Sequence, residues 1–166
     1  PLRELDISVT PVSDLAPLAG LPLTQIDLSQ TQVTSLAPLE GMPLVQLWFE
    51  KTPIENLGPL TGMPLTTLWC RESKISNLSP IVGMPLRELN LCQTAVTDLS
   101  PLQGMTLETL WLRDTRVRDL TPLLGMNLVS LDLQGSDVSD LDVVCRLPGI
   151  KRLNIAGTPI TDLRPL

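Results

Sequence analysis

From Leu86 to Thr106 the chain reads Leu-Arg-Glu-Leu-Asn-Leu-Cys-Gln-Thr-Ala-Val-Thr-Asp-Leu-Ser-Pro-Leu-Gln-Gly-Met-Thr. Leu89 and Leu91 alternate with Glu88, Asn90 and Cys92. A short strand here puts the leucines on one face and the other three side chains on the opposite one. The second half, Asp98 to Gly104, has the make-up of one tight helical turn. Ser100 suits an N-cap, Pro101 the first helical position and Gly104 the residue that ends the turn. Twenty-one residues are too few for a strand, a full helix and two corners, which predicts a 3₁₀ turn or an extended arc opposite the strand.

The same pattern fills the chain. Leucine stands at positions 2, 23, 44, 65, 86, 107 and 128, and Ile150 follows one residue late, so that Gly149 or its neighbour is an extra residue. A repeat of this length signals a solenoid. Strands recurring every 21 residues stack as a parallel sheet, with neighbours about 4.8 Å apart. Inward columns follow from the alignment: leucine at the fourth and sixth places of each unit, Val or Ile at the eleventh, leucine at the fourteenth and seventeenth. Met42, Met63, Met84, Met105 and Met126 form one further column, read as a pliable core spine. No unit buries these side chains alone, so stability becomes a sum over contacts between neighbours.

Composition excludes much chemistry. Among 166 residues there are 12 Lys+Arg against 18 Asp+Glu, a net charge of −6, with no His and no Tyr. No basic patch matches a phosphate backbone, and nucleic acid is not an expected partner. Without histidine the commonest general base and metal ligand are missing. The carboxylates fall in regularly repeating exposed places rather than a sheltered pocket, so no enzyme activity, metal or cofactor is expected. No apolar run approaches the roughly 20 residues of a bilayer span.

These units resemble leucine-rich repeats, and among them the short bacterial kind with a Thr-Asp-Leu-Ser-Pro-Leu outer segment, as in internalin-type proteins. The resemblance implies an α/β solenoid: a right-handed superhelix with a parallel β-sheet on the concave face and 3₁₀ or extended turns on the convex face. It forms one leucine-rich repeat domain over residues 1–166, with about eight repeats starting near 2, 23, 44, 65, 86, 107, 128 and 150. The chain departs from the family in its 21-residue unit, where the family has 22. It also carries Thr or Ser, not Asn, at the ladder position: Thr10, Thr31, Thr52, Ser73, Thr94, Thr115, Ser136 and Thr158. Their hydroxyls still serve corner backbone groups. With no cap at either end, the sequence reads as a fragment of a longer chain, and its uncapped ends offer a route to self-association.

In leucine-rich repeats the outward strand residues make the binding surface. The central outward column runs Asp6, Asp27, Trp48, Trp69, Asn90, Trp111, Asp132, Asn154, and it holds every tryptophan of the chain. Trp48 and Trp69 fall on adjacent strands, with Trp111 two strands beyond Trp69 and Asn90 between. The flanking column runs Ser8, Ser29, Glu50, Arg71, Cys92, Arg113, Gln134, Ala156. Aromatic and Arg side chains together are what binding hot spots are made of. Trp48, Glu50, Trp69, Arg71, Asn90, Trp111 and Arg113 are therefore the candidate site, for a protein partner carrying some positive charge. The alternatives are a structural or self-assembling element and, further off, a carbohydrate-binding surface. A second column, Asp14, Ser35, Asn56, Asn77, Asp98, Asp119, Asp140, Asp162, holds residues that cap turns. Cys70 faces inward, Cys92 outward, and Cys145 lies on the outer side, so no disulfide is expected. Unpaired thiols lean toward a reducing compartment and the resemblance toward the bacterial cell surface; both stay open.

Overall fold

A computed structural model describes residues 1–166. Eight three-residue strands pair in parallel and in chain order: β1 (Glu4–Asp6), β2 (Gln25–Asp27), β3 (Gln46–Trp48), β4 (Thr67–Trp69), β5 (Glu88–Asn90), β6 (Thr109–Trp111), β7 (Ser130–Asp132) and β8 (Arg152–Asn154). Register follows the repeat, with Leu47 opposite Leu68, Leu68 opposite Leu89 and Trp48 opposite Trp69. The middle residue of each strand from β2 to β7 is buried and its flanks face out, as the period-two alternation requires. Seven short turns form the outer arc, from Ala16–Leu18 to Val144–Arg146, and all are 3₁₀. The helical half of an α/β solenoid is thus reduced to single turns, because the unit has no length for more.

Forty-three buried side chains make one continuous core. The columns expected from the alignment are its members through the inner units, whereas most of those in the end units are only partly buried and Leu163 and Leu166 are exposed. The five methionines sit at its outer rim, 3–7% exposed. No helix is long and apolar enough to cross a membrane.

Two hydrogen-bond ladders hold the corners. At the first, Thr or Ser donates its hydroxyl to the carbonyl three residues back, as Thr31 does to Leu28 at 2.6 Å and Thr94 to Leu91 at 2.7 Å. Ser136 alone in this column leaves its buried hydroxyl unpartnered. At the second, the Asx column accepts the backbone N–H two residues on, from Ala16 onto Asp14 through Ser100 onto Asp98 to Arg164 onto Asp162. This corrects the capping role assigned to Ser100. The residue before the turn is Leu99, without a side-chain cap. Asp98 instead accepts both the Ser100 N–H and its hydroxyl, which hold its carboxyl below the usual aspartate range.

One column is strained. Val9, Gln30, Lys51, Glu72, Gln93 and Asp114 all have φ between 53° and 58°, and Gly135 and Gly157 continue the series. Left-handed backbone costs an L-residue about 1–2 kcal/mol. What offsets it is an inter-unit bond: the Gln30 N–H reaches the Glu50 carbonyl at 2.8 Å and the Lys51 N–H the Arg71 carbonyl at 2.8 Å. Strain at the corner is therefore exchanged for a rung between neighbouring coils.

The late start of the last unit has a local cause. Leu147 donates to Val144 just as Met126 donates to Leu123, still 21 residues apart, whereas Lys151 donates to Val129 and Val129 to Glu108, now 22 and 21 apart. The extra residue therefore lies between Leu147 and Lys151, at Pro148-Gly149. A Cβ on Gly149 would lie 3.1 Å from the Leu128 carbonyl oxygen and 3.3 Å from that of Asn127. Glycine lets the chain pass this close over the preceding coil, where a side chain would press on its backbone carbonyls.

Candidate functional site

The outward residues of β3 to β6 bring the three tryptophans into one row. Trp48 and Trp69 meet edge to face, with ring centroids 6.4 Å apart and planes at 90°. Trp69 and Trp111 also meet, at 5.8 Å and 73°. The expected separation of Trp111 by Asn90 is thus not what the rings do: they lean over Asn90 and touch. Edge-to-face pairs contribute about 0.5–1.5 kcal/mol beyond area burial. All three rings remain half-buried on the outer side of the sheet.

Asn90 works beneath this row. Its amide donates to Glu50 Oε1 at 3.3 Å, across β4, while its Oδ1 accepts the Cys92 N–H at 3.0 Å. The two arginines turn toward the next coils rather than each other. Arg71 donates to Gln93 Oε1 through Nε and Nη2, both at 3.2 Å, and pairs with Glu72 at 2.7 Å. Arg113 pairs with Asp132 at 2.9 Å. Glu50 and Asn90 therefore belong to the tryptophan row, and Arg71 and Arg113 flank it. Asp132, only 8% exposed, and Gln93 were absent from the candidate set. Asp132 stands in the central outward column; no sequence pattern marks Gln93.

No family model matches this chain, and no curated protein matches it. Solved structures do. An internalin (inlF) of Listeria monocytogenes is 27% identical at a TM-score of 0.93, over 99% of this chain and 50% of that one. An internalin C2 (inlC2) of the same organism is 28% identical at 0.89, over 97% and 75%. The chain has the leucine-rich repeat fold of these internalins. The functional domain of InlJ from Listeria monocytogenes, which includes a cysteine ladder, shares the fold at 22% identity and a TM-score of 0.67, over 98% of this chain and 41% of that one. The chain spans half the length of the first internalin.

This chain builds no such ladder: its three cysteines are free. Burial drives the Cys70 thiol far above its ordinary range, and Cys92, on the outer face but only 5% exposed, is also raised by burial. Neither is a ready nucleophile.

Glu50 is the informative acid. Burial raises its pKa; Arg71 opposes that shift and Asp27 adds to it. A carboxyl whose folded pKa is raised penalises the fold once it ionises, and the penalty is absent below the ordinary glutamate value, about 4.3. Wild type therefore loses stability relative to Glu50→Gln as pH rises from about 4 through the folded value. We expect Glu50→Gln to raise the melting temperature at pH 7 and to leave it unchanged at pH 3.5, as paired thermal melts would show. Glutamine keeps an oxygen for the Asn90 amide, so the comparison isolates the charge.

Proposed function

We propose that this chain is a protein-recognition module whose concave sheet face binds a polypeptide partner. Trp48, Trp69 and Trp111 are the centre of the site, and Glu50, Arg71, Asn90 and Arg113 its polar surround. One observation carries this reading: the whole tryptophan content of the chain is gathered into a single contacting row on the face the core does not use. Large rigid aromatics offer area at low entropic cost, which is why hot spots favour them. Fixed strands supply the pre-organisation that limits ordering costs on binding.

The test is selection from a random dodecapeptide library on the immobilised chain. It is run in parallel on a Trp48→Ala, Trp69→Ala, Trp111→Ala variant whose circular dichroism matches wild type. Peptides enriched on wild type and lost on the variant are the expected result. Recovery of the same peptides on both would make the tryptophans a structural covering of the strands. Light scattering over a concentration series addresses the self-assembling alternative, since a recognition module stays at one mass.

A further inference from the structure

Beside the tryptophan row, over β1 to β4, the face opens into a concavity of about 640 Å³. Glu4, Asp6, Asp27 and Glu50 line it with Trp48 and Trp69, and no Lys or Arg does. The charge pattern along the face is therefore polarised. Each ion pair of the chain lies beyond it, from Arg71–Glu72 through Arg113–Asp132 to Arg164–Asp162. The four carboxylates of the concavity have no such partner.

Their hydrogen bonds leave acceptors free. Asp6 takes the Ser8 N–H and Asp27 the Ser29 N–H, each through Oδ1 at 2.8 Å; the Ser8 hydroxyl also serves the Asp6 carboxyl, whereas Asp27 Oδ2 is uncommitted. Glu50 holds only the Asn90 amide, through Oε1. Indole is the strongest of the aromatic partners for a cation, and a wall of indole beside unpaired carboxylates suits a charged head on an apolar stem.

We propose that this concavity seats a lysine or arginine side chain of the partner polypeptide, held between Trp48 and the carboxylates of Asp6, Asp27 and Glu50. The partner then lies along the concave face with its basic end over β1 to β3 and its apolar contacts on Trp69 and Trp111. This inference rests on the concave face being the recognition surface. It adds the sign and the orientation of what is recognised. The half-buried Glu50 carboxylate, which ionises less readily than an ordinary glutamate and feels Arg71 only without contact, gains a counter-ion in contact.

Acetyl-hexalysine-amide, titrated into the intact chain with tryptophan emission as readout, is the direct test. Its fully Nε-acetylated counterpart serves as the neutral control. The expected result is binding that is at least tenfold weaker for the acetylated peptide and for Asp27→Asn, Glu50→Gln. An Asp98→Asn, Asp119→Asn variant, which changes net charge equally on the convex side, stays within twofold of wild type. Equal losses in the two double variants would reduce the effect to net charge and overturn the proposal, as would equal affinity for the two peptides or no binding of either. The peptide selection separates this from the broader reading. Tryptophan-dependent peptides without enrichment in Lys or Arg would sink the basic-residue pocket and leave the recognition face standing. Absence of tryptophan-dependent peptides would remove the face itself.

Discussion

Leu89→Ala is expected to cost about 2–5 kcal/mol and to break the solenoid near its middle. Leu89 is fully buried at the centre of β5, between Leu68 and Leu110 in register on either side. Truncation removes the transfer energy of one side chain and leaves a cavity that two neighbouring coils both feel. In a linear array where each unit contacts only its neighbours, the sum of interface energies loses two entries at once. The same change at Leu5, half-buried in the edge strand β1, opens one interface and is expected to cost less than half as much. Urea melts of both variants measure the difference. For Leu89→Ala, fluorescence and far-ultraviolet dichroism should no longer coincide, since the tryptophans occupy the third, fourth and sixth coils. Equal costs for Leu5 and Leu89, with coincident transitions in both, would mean the chain unfolds as a single unit without a nearest-neighbour character.

What a sequence of this kind displays is its columns, because a 21-residue period makes every buried position visible eight times over. Leu47, Leu68 and Leu89 sit where alternation placed them. The capping detail was harder to read. Ser100 and Asp98 are both good caps by composition, and only the backbone geometry shows that the N–H of Ser100 turns back onto Asp98. The strained corner was hidden for a different reason. Gln30, Lys51, Glu72 and Gln93 are not residue types that advertise a positive φ, and only Asp114, Gly135 and Gly157 at the column's end hint at it. Inter-coil bonds impose that conformation, so local propensity loses to the array.

The site divides along the same line. That the tryptophans face outward follows from periodicity, whereas their mutual contact depends on rotamers, which periodicity does not specify. The Glu50 to Asn90 bond joins residues forty positions apart across an intervening strand. Glu50 and Asn90 fall in different columns, so alignment by repeat never sets them side by side.

Trp69→Phe and Trp69→Ala are expected to part company, and their difference identifies what the ring does. The indole Nε1–H of Trp69 is enclosed with no acceptor, and an unsatisfied buried donor costs about 1–3 kcal/mol. Phenylalanine removes that donor while keeping an aromatic ring between Trp48 and Trp111. Loss of ring area and relief of the donor oppose each other, so its stability should stay within about 1 kcal/mol of wild type. Alanine gives up both edge-to-face contacts, worth about 0.5–1.5 kcal/mol each. Binding should sort the variants more sharply. A hot-spot truncation costs about 2 kcal/mol or more, which is roughly 30-fold in affinity. Because the Nε1–H is closed off from any partner, the ring surface is what remains to be recognised. For a peptide selected on the wild-type chain, Trp69→Phe should then bind within about threefold of wild type and Trp69→Ala at least 30-fold more weakly. Equal losses in the two would assign recognition to the indole nitrogen, and would require the row to open when the partner arrives. No loss in either would move the hot spot away from Trp69.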